Sequence, residues 1–200
     1  MDPRKLLAIP VFYSLFRKFI GRDSVRRQYS ESHIRAQPGQ HVLDIGCGTG
    51  DILAFLPEVQ YVGFDIDPDY IQAAQQRYGS RGTFFCQPVG EGLNVPAASF
   101  DIVIAHGILH HLDDDEAKTL FRIAHKALKP GGRLITFDGC FSDDQSRLSR
   151  FFVSRDRGCH VRRRQAYEAL ALTAFAGVKV TIRHDLLRIP YTHIILECLA

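Results

Sequence analysis

Short apolar runs rich in β-branched residues recur along this chain, and the stretches between them carry apolar positions at helical spacing. The strand candidates are HVLDIG (41–46), YVGFDI (61–66), TFFCQ (83–87), FDIVIAHG (100–107), RLITFDG (133–139), VKVTIRH (178–184) and THIILEC (192–198). The first, second, fourth and fifth are nearly continuous apolar runs, as expected of strands covered on both faces of a parallel sheet. The clearest helix lies in DDDEAKTLFRIAHKALKPGG (113–132). Asp113 to Asp115 supply its N-cap and first-turn acids, Ala117, Leu120, Phe121, Ala124 and Leu128 form one apolar stripe, and Pro130-Gly131-Gly132 stops it. PDYIQAAQQRYG opens with Pro68 in a first turn and ends at Gly79, and RRRQAYEALALTAFAG closes at Gly177. A further helix is expected to begin at Asp51-Ile52, directly after the loop GCGTG (46–50).

This alternation predicts an α/β fold: a doubly wound, Rossmann-like seven-stranded sheet, mostly parallel, with helices on both faces. Only DLLRIPY (185–191) separates the last two strands. That link is too short for a parallel crossover, so the last strand is expected to run antiparallel. A chain of 200 residues fits a single domain with a substantial core.

Composition narrows the setting. With 46% apolar and 24% charged residues the chain reads as a globular protein, and no run approaches the ~18 apolar residues of a membrane span. The N-terminal LLAIPVFYSLF is interrupted by Pro10 and closed by Arg17-Lys18, which suits a helix better than a signal peptide. Cysteines 47, 86, 140, 159 and 198 are odd in number and contain no CxxC pair. That pattern argues against a disulfide framework or zinc site and points to a reducing compartment, the cytoplasm. The net charge of +3 conceals an asymmetry. Residues 1–35 hold eight Lys/Arg against three acids, residues 36–145 seven against fifteen, and residues 146–164 seven arginines against Asp156 alone. Two basic segments around an acidic centre suggest an anionic partner.

The loop GCGTG sits where a first strand ends, the place at which such sheets bind ligands. Its spacing is GxGxG. A dinucleotide fingerprint GxGxxG needs glycine where Asp51 stands, and a phosphate-binding P-loop needs a GKS or GKT that is absent. The next strand ends in Asp65, placed to accept both ribose hydroxyls of an adenosine, whereas Asp67 precedes Pro68 and reads as a helix cap.

VLDIGCGTGD, VGFDIDPDYI, FDIVIAHGILHHLDD and LKPGGRLITFD resemble, in order and at suitable separations, the successive motifs of class I S-adenosylmethionine-dependent methyltransferases. The resemblance covers roughly residues 40–140. It implies S-adenosyl-L-methionine as cofactor and S-adenosyl-L-homocysteine as product. It also implies that Asp44, Gly46, Cys47 and Gly48 line the methionine and ribose side, Asp65 holds the ribose and Ile66 packs on adenine. Val89 and Gly90 reach the adenine edge, and Ala105 with His106 closes the cofactor from below. Family members often carry an aspartate near position 89. This chain has QPVGEGL there, so Glu91 or a backbone carbonyl takes the adenine amino group.

Methyl transfer from a sulfonium needs orientation and a dry site, and a general base only where the acceptor must lose a proton. His106 and His110, in the turn after strand four, are the catalytic candidates, with Asp138 at the end of strand five facing the same crevice. No metal is expected, because DDDE (113–116) is accounted for by helix capping. Within the one domain, residues 1–35 are read as N-terminal lid helices, 36–139 as the cofactor-binding core, 140–164 as a basic substrate-side insert and 165–200 as the last helix and strand pair. Tyr13, Tyr29, Asp138, Phe152, Arg155 and Arg157 are the acceptor-binding candidates, which implies a small, partly apolar, anionic acceptor. Three other readings stay open: an RNA methyltransferase, less favoured without an NPPY-type tetrad after strand four; a cofactor-binding protein without turnover; and transient contact with a membrane surface.

Overall fold

A computed structural model describes residues 23–200 apart from 91, 157 and 188. Residues 1–22 of the stretch 1–35 expected as a lid, Tyr13 among them, and the positions Glu91 and Arg157 lie outside the described residues. Helix α1 (Asp23–Tyr29) leads through a wide helical turn (Ser30–Ile34) into strand β1 (His41–Ile45). There follow β2 (Gln60–Asp65), α2 (Pro68–Tyr78), β3 (Gly82–Cys86), β4 (Phe100–His106), α3 (Asp114–Ala127) and β5 (Leu128–Phe141). The chain continues through α4 (Arg147–Val153), β6 (Arg162–Arg163), α5 (Arg164–Ala171), β7 (Val178–Arg183) and β8 (His193–Leu199).

The main sheet has the order β3-β2-β1-β4-β5-β8-β7. β1 pairs in parallel with β2 and β4, and β8 runs antiparallel to both β5 and β7. The expected architecture, including the antiparallel last strand, is therefore observed. Neighbouring residues on the central strands enter different cores, which is why those strands read as unbroken apolar runs. Leu43, Val103 and Leu134 meet Leu120, Phe121 and Ala124 of α3 and Tyr167 of α5. Val42, Ile102 and Ile135 meet Tyr29 of α1 and Ile71, Ala74 and Tyr78 of α2.

The helix signals hold at their starts. Asp67 accepts from the Asp69 and Tyr70 amides, and Asp113 with Glu116 forms a reciprocal capping box on α3. They hold less well at their ends. After the glycine loop the expected helix is a single 3₁₀ turn (Asp51–Phe55), because Pro57 confines Leu56 to extended backbone (φ −96, ψ 148). α5 stops at Ala171 rather than Gly177. Just beyond it Thr173 turns its hydroxyl onto the Leu170 carbonyl at 2.6 Å, a local bond that competes with the helix ladder. β5 begins at Leu128 and runs through the Pro-Gly-Gly segment, with a register shift opposite Phe100–Ile102.

The insert after β5 is pinned to the body. β6 pairs in parallel with Cys140 and Phe141. The Arg162 guanidinium donates to the Leu109 carbonyl (2.9 Å), the Leu112 carbonyl (2.7 Å) and Asp114 (2.9 Å). Those acceptors are the otherwise open end of the turn after β4 and the start of α3. Among the described residues no helix is long and apolar enough to cross a membrane.

Candidate active site

β2, β1, β4 and β5 are parallel neighbours, so their carboxyl ends lie side by side at one end of the sheet. On its first side lies the glycine loop. Gly46 and Cys47 both donate to the Phe64 carbonyl (2.8 and 2.9 Å), and Gly46, Gly48 and Gly50 hold φ values of 80, 53 and 69. These left-handed conformations favour glycine. A Cβ on Gly46 would stand 2.7 Å from Ile108 Cδ1 and 3.2 Å from its Cβ, whereas one on Gly48 would meet nothing within 4 Å. Gly46 thus lets the loop close on the turn after β4, and Gly48 leaves bare backbone open to a ligand. Alanine at Gly48 is expected to cost ~1–2 kcal/mol for the left-handed backbone alone, a fall of about 2–8 °C in Tm for a chain of this size. Alanine at Gly46 should lower Tm further; calorimetric scans showing equal falls would mean Ile108 is no constraint.

Asp65 closes this side. Its Oδ2 accepts from the Gly48 amide (2.8 Å) and its Oδ1 from the Asp67 amide (2.9 Å). A carboxylate offers about four acceptor positions, so each oxygen retains capacity for a sugar hydroxyl. Ile66 beside it is 70% exposed, a large apolar side chain open to a flat ring. Val89 packs against the core, and a Cβ on Gly90 would meet open space. Asp44 is buried beneath the loop. Its Oδ2 accepts from the Tyr61 hydroxyl (2.5 Å) while its Oδ1 is buried without a partner. Burial pushes its carboxyl up to about 7, opposed by the Tyr61 bond and reinforced by the Asp65 charge. A ligand ammonium would satisfy that oxygen and restore its charge. Bare backbone, an orphaned carboxylate oxygen, a carboxylate with free capacity and an exposed apolar side chain fit the methionine, ribose and adenine parts of S-adenosylmethionine.

On the other side, the turn after β4 and the end of β5 build a polar chain. His110 places Nδ1 2.7 Å from Asp138 Oδ1, an oxygen that also accepts from the His110 amide (3.2 Å). Its Nε2 stands 3.3 Å from Asp156 Oδ1, and the other Asp156 oxygen accepts from the Tyr191 hydroxyl. Burial alone would lower the imidazole pKa, but the bond and charge of Asp138, aided by the Asp156 charge, raise it above the ordinary value. Burial likewise raises the Asp138 carboxyl against the pull of His110, and Asp138 Oδ2 is buried without a partner. Beside them a row of rings crosses the strand ends. Tyr29 and Phe137 lie 5.3 and 4.5 Å from His106, Phe137 lies 4.6 Å from His193, and His193 lies 4.7 Å from Tyr191. Burial holds His193 down to about 3, so it stays neutral.

The insert closes this second side. A Cβ on Gly158 would fall 2.1 Å from His110 Cδ2, and the His160 amide donates to the His110 carbonyl (3.0 Å). Gly158 is therefore what lets the insert lie directly on the histidine.

The expected residues thus fall into three groups. Asp44, Gly46, Cys47, Gly48, Asp65 and Ile66 gather at the loop, with Ala105 fully buried in the core beneath. His106, His110, Asp138 and Tyr29 gather at the ends of β4 and β5. Phe152 and Arg155 sit on or just after α4, where Arg155 lies over the exposed Phe151 ring at 4.9 Å. Asp156, Tyr191 and His193 were not marked by sequence reasoning. One signal for the first was present, since Asp156 is the sole acid among seven arginines in 146–164. Among the described residues no group of three or more His, Cys, Asp or Glu is placed to hold a metal ion.

Comparison with known proteins agrees with this geometry. A family model described as a methyltransferase domain matches residues 42–132. The malonyl-[acyl-carrier protein] O-methyltransferase of Hahella chejuensis is 30% identical over 152 residues, covering 74% of this chain and 53% of that protein. Phosphoethanolamine N-methyltransferase 1 of Arabidopsis thaliana is 32% identical over 155 residues, covering 74% of this chain and 31% of that one. The chain therefore spans about half of the first relative's length and a third of the second's. Among solved structures, a Haemonchus contortus phosphoethanolamine N-methyltransferase 2 in complex with phosphomonomethylethanolamine and S-adenosylhomocysteine shares the fold. Its TM-score is 0.75 at 16% identity, covering 98% of this chain and 58% of that one. By its ordered motifs, its sheet and its glycine-loop geometry, the chain belongs to the class I S-adenosylmethionine-dependent methyltransferases.

Proposed function

We propose that this protein transfers a methyl group from S-adenosylmethionine to a small, partly apolar, anionic acceptor that gives up a proton in the reaction, with His110 as the base. The observation that supports this most is the Asp138–His110 pair. A buried carboxylate fixes Nδ1 of the ring, which sets Nε2 as the nitrogen that meets the acceptor. His106, the other candidate, lies in the row of rings and is read as part of the apolar wall.

The bound cofactor supplies an already activated methyl group on a positively charged sulfur. The chain's own residues supply the rest. Asp65, Gly48 and Asp44 orient the donor; Tyr29 and Phe137 exclude water; His110 Nε2 takes the acceptor's proton, and Asp138 stabilises the resulting imidazolium. Nε2 is engaged by Asp156 in the structure, so the acceptor's ionisable group takes the carboxylate's place when the Asp156 side chain, on the link between the pinned α4 and β6, turns aside, and the Tyr191 hydroxyl is then left to hold that group. Two relatives are named for malonyl and phosphoethanolamine acceptors, which carry a carboxylate or a phosphate, and their chemistry agrees with an anionic acceptor here. All five cysteines are free thiols, which supports a reducing compartment such as the cytoplasm.

The test is S-adenosylhomocysteine release by the purified chain against pooled acidic metabolites, with tRNA in a parallel reaction. Release with a fraction of the acidic pool is expected. Release with tRNA alone would overturn the small-acceptor reading.

A further inference from the structure

Helix α4 of the insert has two opposed faces. Ser149 and Val153 point inward, and the Ser149 hydroxyl lies 2.8 Å from that of Thr192. A Gln145 side-chain bond to the same hydroxyl (3.2 Å) helps fix the helix rigidly to the body. The outward face carries Leu148 and Phe151, 52% and 49% exposed, one turn apart. Other exposed apolar side chains, such as Leu172 and Phe85, are scattered singly and need no explanation. Here the pair is rimmed by exposed Arg147, Arg150 and Arg155. Among the described residues none of these three has a carboxylate partner; Arg150 donates to the Ser142 carbonyl (3.2 Å) and Arg155 covers Phe151. The acids nearby are engaged elsewhere, Asp143 by Arg163 and Asp144 by His184 and Ser142.

We propose that this face of α4 docks on an anionic lipid bilayer. Leu148 and Phe151 enter the headgroup–acyl boundary and the arginine rim meets lipid phosphates and carboxylates, the division of labour of an interfacial helix. A nucleic acid would reward the same arginines but not an aliphatic side chain such as Leu148. The same insert carries Asp156 and Gly158, which lie on His110, so docking would bring the acceptor side to the lipid surface and suits an amphipathic acceptor.

The test is flotation of the whole chain with vesicles of phosphatidylcholine and phosphatidylserine, beside pure phosphatidylcholine vesicles and a tRNA binding series. Binding to the anionic vesicles is expected to exceed binding to the neutral ones by about tenfold or more and to fall with salt. Both Leu148→Glu/Phe151→Glu and Arg147→Gln/Arg150→Gln should lower it by about tenfold, with thermal melting and S-adenosylhomocysteine affinity as in the parent. Three results would overturn the proposal: no binding to anionic vesicles; variants that bind like the parent; or tRNA uptake that depends on the arginines but not on the apolar pair. The assay requires no turnover, so its failure would leave the methyl-transfer reading untouched.

Discussion

His110→Ala is expected to lower kcat by about 10²–10⁴-fold, the usual contribution of a positioned general base, while S-adenosylhomocysteine binds as tightly as before. The companion variant Asp138→Asn separates chemistry from architecture. In the proposed mechanism Asp138 is a positioning residue: its charge and hydrogen bond hold His110 above the ordinary imidazole value against burial. The base works neutral, so kcat/KM in the parent should rise with pH through a midpoint above that ordinary value. With asparagine the raising contributions shrink and burial dominates, so the midpoint should move to lower pH as kcat falls. The stability consequence has a definite sign. A pKa raised by folding contributes stability that is complete below the ordinary imidazole value and is lost as pH rises through the raised one. The contact between the insert and His110 should therefore loosen with rising pH, as the histidine becomes a competent base. An unchanged kcat in His110→Ala, or an unmoved acid limb in Asp138→Asn, would reduce the pair to a structural contact.

Asp65→Ala is expected to weaken cofactor binding by about 10²–10⁴-fold. In the proposed role each carboxylate oxygen, which already accepts one backbone amide, also accepts a sugar hydroxyl, and hydrogen bonds to a charged group contribute about 1.5–3 kcal/mol each, with 1.4 kcal/mol per tenfold change in affinity. The substitution also leaves the Gly48 and Asp67 amides without their acceptor, which loosens the loop. At saturating cofactor kcat should change far less than Kd. Asp67→Ala is the natural comparison two residues away. Losing that cap costs about 1 kcal/mol of helix stability and should leave cofactor affinity unaltered. If the two variants bound the cofactor equally well, the ribose role assigned to Asp65 would be wrong.

The contrast between these two aspartates shows what a sequence makes legible. Pro68 marks Asp67 as a cap, and the end of an apolar run marks Asp65 as a crevice residue, so both placements follow from local pattern. The central strands, the α3 N-cap and the antiparallel last strand are legible for the same reason: each is dictated by residues a few positions apart. The helix ends are less so: the glycine loop marks a start at Asp51, but the turn ends at Phe55 where Leu56, before Pro57, is extended. The acceptor side is barely legible. Tyr191 reaches Asp156 across 35 residues and His110 reaches Asp138 across 28. The two-residue strand β6 that pins the insert has no pattern of its own. The strand ends marked His110 and Asp138 as neighbours, but the Asp156 and Tyr191 contacts are set by how the insert packs on the finished sheet, and only the lone acid among the arginines hinted at them.

The most direct measurement is isothermal titration of the chain with S-adenosylmethionine and S-adenosylhomocysteine, beside NAD and the Asp65→Ala variant. Saturable binding of both sulfur compounds, silence toward NAD and a loss of about 10²-fold or more in the variant are predicted. Indifference to both sulfur compounds with uptake of NAD would contradict the assignment of residues 46–50 and Asp65 to an adenosyl sulfonium.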